Sequence, residues 1–471
     1  MSRMTDAGHG ARTRRLQLAL AGMLLPGLAL AAPPGPQAGS AASGDEAADI
    51  ARAGALVDAA DDHPGTLAQA RALLDGVLSA NPASAAAHLE VARIHIREAF
   101  EGTERDPDGL AKAEAALDRA VELDPGFAEA RVLRGRLYRL QGRRGEAHAE
   151  FDAADALGGA SPWLHVNRGQ LLNEEGRHEA ALEACGRVPA DVPPVRTRRA
   201  ADRCMLRALE ALQRAGEAEA VYLAALERDP AHAPNHAAYA RFLLCRAGRP
   251  DAAAERALAA LELDAGNWQA HATLGAALHA DWARRFREGD ADAEARAFVR
   301  AQQGTRGDPV LDMHLQCGAT ATLDLLRALR DSGRMPPIPA LVAVLSAARV
   351  EDAGMPVIVA FTVAGAGRDA HNVYLNSEAD YREPHALTLR FGKDAAQDWR
   401  TLHGEEPEAL KGRDVTVVGY VRRVRVDFTQ AGMPTGKYYY QTHLEVREPW
   451  QVMVGAPPEP PMPPAGARHR L

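Results

Sequence analysis

Between residues 64 and 303, apolar residues recur three and four positions apart, the spacing that lines one face of an α-helix. One frame returns several times along this stretch. It reads Ala70, Leu74, Val77 and then Pro82; Ala113, Leu117, Ala120 and then Pro125; Ala218, Tyr222, Ala225 and then Pro230. It returns as Ala253, Ala257 and Ala260, with Leu274 and Gly275 opening a further copy. The fullest copy, residues 128–161, sets Gly135 and Tyr138 in one helix and Ala147, Phe151 and Ala154 in the next, before a turn at Gly158 and Gly159. A weaker copy holds Gly169, Leu172, Ala181 and Cys185. Pro closes most copies, because it cannot continue a helix. The pattern predicts stacked helix pairs, with Gly or Ala where two helices approach closely and Phe or Tyr filling the gap to the next pair.

The helical period runs on through residues 311–330 and breaks at Gly333, Pro336, Pro337 and Pro339. A short helix is predicted over residues 341–349. Beyond it the period falls from 3.6 to 2. Residues 357–363, 372–376, 386–391, 414–425 and 438–446 read as strands rich in β-branched and aromatic residues, with a helix-capable stretch at 395–402. Five strands in so short a span predict a small β-barrel. The expected fold class is an α+β multidomain chain, an α-helical repeat array followed by that barrel.

A period of about 34 residues closed by Pro resembles the tetratricopeptide repeat, and six or seven copies fit residues 64–303. Two departures are visible. Pro82 and Pro125 lie 43 residues apart, the extra length fitting a polar loop at 101–109. Pro189, Pro193 and Pro194 are expected to loosen the junction between the fourth and fifth copies. The resemblance implies a superhelix whose first helices line a concave groove that holds peptides or proteins. Carried onto this chain, the groove-facing positions include Arg93, Arg136, Arg139, Asn173, Arg203, Arg207 and Arg241. Several Arg on one face favour acidic or C-terminal carboxylate ligands through bidentate hydrogen bonds. The competing account is a solvated face in an Arg-biased chain, since only four of its 55 Lys and Arg residues are Lys.

The run 410–421, with Gly412 and Gly419, resembles the entry strand of an OB-fold. Residues 373–382 resemble the middle strand and turn of staphylococcal-nuclease-like OB modules, and the likeness covers about 355–452. A nuclease of that family needs acidic residues for a calcium ion and a pair of Arg for phosphate. The chain has neither an Asp-Gly-Asp segment nor an Arg-x-x-x-Ile-Asp-x-Pro-Glu segment, so the resemblance carries no catalytic residues with it. Arg422, Arg423, Arg425, Lys437 and Tyr439, with Tyr438 and Tyr440 beside them, form a candidate nucleic-acid surface. Against it stand the 12 basic and 15 acidic residues of 351–450 and the ordinary use of alternating Tyr in cross-strand packing.

Composition sharpens this picture. Ala supplies 98 of 471 residues and aromatics only 5%, which suits tightly packed helices. The net charge of −8 excludes a general nucleic-acid binder. Arg12, Arg14 and Arg15 precede an apolar run at 16–30 and the small-residue site Ala29-Leu30-Ala31, the order of a secretory signal peptide cleaved after Ala31. The run is short for a membrane span, and the expected location is periplasmic or secreted. The expected organisation is a signal peptide at 1–31, a lead-in and first helix at 32–63, repeats at 64–303, a helical linker at 304–350, an OB-like barrel at 351–454 and a Pro-rich tail at 455–471.

Candidate chemistry is sparse. His371, His385, His403 and His443 have no metal spacing, and no C-x-x-C, G-x-S-x-G or P-loop occurs, so no metal or cofactor is expected. Cys185 and Cys204 fall on neighbouring helices and either form a disulfide or serve as small buried apolar residues. Cys245 and Cys317, more than a repeat apart, are expected to be unpaired. The expected function is an exported, non-enzymatic protein-interaction scaffold of a bacterial envelope. The alternatives are an extracytoplasmic nucleic-acid-binding factor or a non-catalytic subunit of an envelope enzyme.

Overall fold

The computed structural model describes residues 44–60, 65–100, 106–158, 161–193, 195–350, 354–430 and 433–459. The expected signal peptide, most of the lead-in, residues 101–105 of the polar loop, Gly159, Pro194 and the Pro-rich tail from residue 460 lie outside the described residues. The chain divides into two compact units, one ending at Arg228 and the other beginning at Asp229.

Among its described residues the first unit is built of five helix pairs. They are α1 (Gly44–Asp58) with α2 (Thr66–Ala80), α3 (Ala85–Glu98) with α4 (Pro107–Leu123), and α5 (Ala128–Leu140) with α6 (Arg144–Ala156). Then come α7 (Pro162–Glu174) with α8 (His178–Gly186), and α9 (Val195–Ala211) with α10 (Ala215–Arg228). The first helices of successive pairs also touch: α1 meets α3, α5 meets α7, and α7 meets α9. Local chemistry sets the helix ends. The Asp106 carboxylate accepts from the amide of Asp108 ahead of Pro107, and Asn81 and Asp124 end α2 and α4 just before a Pro.

Small residues decide how closely the helices approach. A Cβ on Gly135 in α5 would lie 2.6 Å from Cε1 of Phe151 in α6, so the fully buried Phe151 ring occupies the space a side chain would need. Gly169 in α7 has the same role with a different neighbour. Its Cβ would collide with Sγ of Cys185 in α8 and lie 2.8 Å from Sγ of Cys204 in α9. Those two cysteines are disulfide-bonded, with Cα atoms 6.2 Å apart. The bond ties the fourth pair to the fifth across Pro189 and Pro193. On the chain-entropy account a loop of this length stabilises by roughly 3 kcal/mol.

The second unit opens with two further pairs, α11 (Ala233–Cys245) with α12 (Pro250–Leu263) and α13 (Trp268–Glu288) with α14 (Ala291–Gly304). Helices α15 (Pro309–Cys317) and α16 (Ala319–Asp331) follow. The expectation for Cys245 and Cys317 is corrected here: they form a second disulfide, with Cα atoms 5.0 Å apart. Distance along the sequence misled, because α15 folds back onto both α13 and α11 and carries Cys317 to the end of α11. No free cysteine remains.

After β1 (Ile338–Pro339) and α17 (Ala340–Ala347) the chain enters the sheet: β2 (Met355–Thr362), β3 (Gly365–Arg368), β4 (Asn372–Asn376) and β5 (Leu387–Gly392). Helix α18 (Lys393–His403) separates these from β6 (Asp414–Gln430), β7 (Met433–Val446) and β8 (Val452–Val454). The ladder runs β1-β2-β6-β7-β5-β4-β3, with β8 on β6. It is mixed: β5 pairs β7 and β1 pairs β2 in parallel, and the remaining pairs are antiparallel. The expected closed barrel is therefore corrected to a mixed sheet, with no ladder among the described residues joining the end strands β1 and β3. The sequence pattern shows five alternating runs but not how one run divides its partners. β2 bonds β6, and after Val363 and Ala364 the same stretch of chain bonds β4 as β3. The sheet's core is Val359, Leu375, Leu389, Phe391, Val417 and Leu444, capped by Ala343 of α17 and Trp399 of α18. The Trp399 ring meets Phe391 edge-on with centroids 5.9 Å apart. Helix α16 packs on β2 and β6, and Arg330 there donates to the Gln451 carbonyl at 3.0 Å.

Candidate binding site

In the first unit the arginines predicted to line the groove fall into distinct environments. Arg93 on α3 is 1% exposed and fully compensated. It donates to both oxygens of Glu90, at 3.0 and 2.8 Å, and to the Asp58 carboxylate at the end of α1. Burial raises the Glu90 pKa and Arg93 opposes that rise. The other oxygen of Asp58 is held by Arg196 at the start of α9. One carboxylate thus joins the first, third and ninth helices. Arg97, one turn beyond Arg93, donates to the Val57 carbonyl at 2.6 Å.

Arg136 on α5 differs from these. It is 5% exposed, its Nε is buried without a hydrogen-bond partner, and no carboxylate pairs with it among the described residues. Burial pushes its pKa down to about 9, and the nearby charges of Arg139, Arg93 and Arg97 push in the same direction. A guanidinium does not readily shed its proton, so a buried one in such company is stabilised most directly by an anion. Arg139, almost one turn past Arg136 on the inner face, is paired with Glu174 of α7. Burial, and beyond it the charge of Arg207 on α9, still hold Arg139 below the ordinary value.

Arg203 and Arg207 lie one turn apart on α9, and both are exposed. Arg203 is nonetheless crowded: desolvation first and the charge of Arg199 second lower its pKa. Asn173 is placed differently from a groove ligand. Its amide donates to the Cys204 carbonyl at 3.0 Å, and its oxygen meets His178 Nδ1 at 3.0 Å, so its hydrogen bonds brace α7 against α8 and α9. Arg241 lies on α11 in the second unit and is half-buried. The structure therefore brings together Arg93, Arg136, Arg139 and Arg207 of the predicted set. It adds Arg97, Arg196, Asp58, Glu90 and Glu174, which the sequence reading passed over. Arg97 was detectable, four residues from Arg93 on one helix face. The contact between Asp58 and Arg196 spans 138 residues and leaves no local trace.

The second predicted surface is a β-ribbon. β7 pairs β5 only from Thr442 onward, and β6 pairs β2 only as far as Val421, so residues 424–430 and 433–441 extend as two strands whose ladder is with each other alone. Arg423 lies 3.8 Å over the ring of Tyr440 and Arg425 4.2 Å over that of Tyr438, on one face. Phe428 and Tyr439 pack together on the other, centroids 5.2 Å apart. Arg422, Arg423, Arg425, Lys437, Tyr438 and Tyr440 are exposed and Tyr439 is half-buried. Among the described residues no group of His, Cys, Asp and Glu has the arrangement to hold a metal ion.

No protein-family model matches the chain, and no curated relative does. Solved structures do match in part. The chain is similar to YrrB, described as a TPR protein with an unusual peptide-binding site, at 20% identity and TM-score 0.30, covering 42% of this chain and 95% of that one. It is similar to PilF of Pseudomonas aeruginosa, at 19% identity and TM-score 0.36, over 48% of this chain and 97% of that one. It is also similar to PilW, described as a widely conserved type IV pilus biogenesis factor, at 17% identity and TM-score 0.28, over 56% and 94%. These superpositions are too loose to carry the fold. The helical array rests on its own pairing, with first helices beginning at Ala128, Pro162 and Val195, steps of 34 and 33 residues.

Proposed function

We propose that this protein is an exported, non-catalytic interaction scaffold of a bacterial envelope, and that its first unit holds an acidic segment of a partner protein on the concave face around Arg136. The observation that carries this reading is Arg136 itself, a buried cation near Arg93, Arg97 and Arg139 with no carboxylate paired to it among the described residues. An incoming carboxylate satisfies it by a bidentate bond and is drawn in by the exposed Arg203 and Arg207. Export is supported by the charged, apolar and small-residue order of residues 12–31 and by two disulfides, which persist in oxidising compartments. Mass spectrometry of the mature N-terminus tests it, with cleavage after Ala31 the expected result. No helix among the described residues is long and apolar enough to cross a membrane.

The sheet of the second unit is read as an OB-like module serving the scaffold. Two features support that reading: the stretch from β2 to β3 divided between β6 and β4, and the parallel pairing of β5 with β7 across α18. Capture of an acidic peptide by the full chain tests the groove. Arg203→Glu with Arg207→Glu should weaken capture at least tenfold, about 1.4 kcal/mol, and leave helicity unchanged, since both side chains are exposed. Unchanged capture in the double variant overturns the groove reading.

A further inference from the structure

The β6–β7 ribbon carries exposed side chains on both of its faces, although Val424, Val426, Tyr439 and Gln441 on one of them are half-buried and Gln441 donates to the Tyr381 carbonyl at 3.2 Å; an isolated pair of strands is marginal in water. Its described part is nevertheless rich in large side chains. Phe428 is 48% exposed, Tyr438 50% and Tyr440 42%, and the half-buried Val426 stands opposite Tyr439 in the ladder. The order of chemistry along the ribbon is informative. Toward its outer end come Phe428 and Tyr438; behind them, toward the sheet, come Arg425, Arg423 and Arg422. Lys437, beside Tyr438 at the outer end, adds a fourth cation, and Asp427, opposite Tyr438 in the ladder, is the one acid among the described side chains of residues 422–441, paired with Arg425 at 2.8 Å.

We propose that this ribbon is a membrane-docking element that seats its outer aromatic end in the interface of an anionic lipid bilayer. Aromatic side chains with a polar tip prefer the headgroup boundary, and cations set behind them meet lipid phosphates. Two-sidedness favours a bilayer. A single nucleic-acid strand or an acidic peptide would lie along one face and leave the other aromatic cluster in water, whereas an interface surrounds both. The rings also offer a base less than their number suggests. Arg423 and Arg425 already cover one face each of Tyr440 and Tyr438, and Phe428 leans on Tyr439. About 5 residues of strand, from Val424 to Phe428, span about 17 Å, enough to carry the outer end through the 5–10 Å of headgroup boundary while the sheet stays in water.

The test uses the full chain with its disulfides intact. Co-sedimentation is measured with vesicles of phosphatidylcholine alone, with vesicles containing phosphatidylglycerol, and in parallel against a single-stranded oligothymidine. Binding to the phosphatidylglycerol vesicles, weakened by salt and absent with phosphatidylcholine alone, is the expected result. Phe428→Ser should lower that binding about tenfold, and Arg423→Gln with Arg425→Gln by a similar factor. Tyr438→Trp supplies a readout that does not depend on losing a contact: the emission of the introduced indole should shift to the blue when phosphatidylglycerol vesicles are added. The proposal is overturned if neither vesicle binds, if Phe428→Ser binds as the parent does, if the indole emission of the Tyr438→Trp variant does not move, or if oligothymidine binds more tightly than the vesicles.

Discussion

Arg136 and Arg425 are the same residue in opposite surroundings. Arg136 is buried near other cations with no carboxylate paired to it among the described residues. Arg425 stands in water, resting on the ring of Tyr438 and bonded to Asp427. The chain's cations are almost all Arg, so residue type alone tells nothing about role. Environment does: a buried charge must be matched or it costs stability, whereas an exposed one is screened and nearly free. Arg93, near Arg136 but matched by Glu90 and Asp58, completes the comparison.

The largest expected effect follows from that third residue. Arg93→Ala removes the cation paired with the buried Glu90 and one of two partners of Asp58. Breaking a buried pair from one side costs about 3–5 kcal/mol, so urea unfolding should show a loss of that order. A loss below about 1 kcal/mol would mean that burial does not govern these charges.

Opposite in sign is Arg136→Met. With no pair to break, the substitution removes an uncompensated charge and leaves a side chain of similar length. The free protein should gain about 1–2 kcal/mol while losing its capture of acidic peptide. A destabilised variant would show that Arg136 has an internal counter-charge and would remove the case for an anion site.

Much of this architecture was legible in the sequence, and the reasons are physical. Gly135 with Phe151, and Gly169 with Cys185, mark close helix approaches in an apolar pattern of fixed period, which one repeat after another restates. The role of the concave face was legible only as a set of candidates. Arg93 and Asn173 fall on the predicted face, but Glu90, Asp58 and the Cys204 carbonyl, which absorb their hydrogen bonds, were not part of that pattern. The return of α15 onto α11, and the division of β2 and β3 between two partners, are likewise decided by packing between elements distant in sequence. Alternation and period carry no record of them.

The comparison can also be sharpened at the root of the ribbon, where His443 on β7 lies near the charge of Arg390 of β5 and stands opposite Arg422 of β6. Its ring shares a hydrogen bond with the Gln441 side chain at 2.7 Å. Burial, then the Arg390 charge, hold its pKa down to about 4. The unfolded chain takes up this proton near pH 6.5, so between about 6.5 and 4 the unfolded state binds more protons than the folded one. The stabilisation is complete above about pH 6.5 and is lost as pH falls toward 4. Between about pH 7 and 4.5 the parent should lose about 2 kcal/mol more than His443→Gln does, measured by unfolding at each pH. Equal losses in the two proteins would place His443 in water.

The smallest expected effect on stability is at Arg425, and its smallness is what the comparison requires. The side chains of Arg425 and Asp427 are 54% and 42% exposed, so their bond competes with water on both sides. Exposed pairs contribute about 0–1 kcal/mol, and an exposed contact with a ring face adds about 0.5–1 kcal/mol at most. Arg425→Gln keeps much of the hydrogen-bonding reach of the side chain and gives up its charge. Its unfolding midpoint should therefore stay close to the parent's, with a change of no more than about 1 kcal/mol. Loss of the charge at Arg93 is expected to cost several times as much. A large loss at Arg425 would mean that the ribbon is packed against something in the folded chain. It would then be a structural strand pair, and the contrast between the buried and the exposed arginines would no longer separate the two regions.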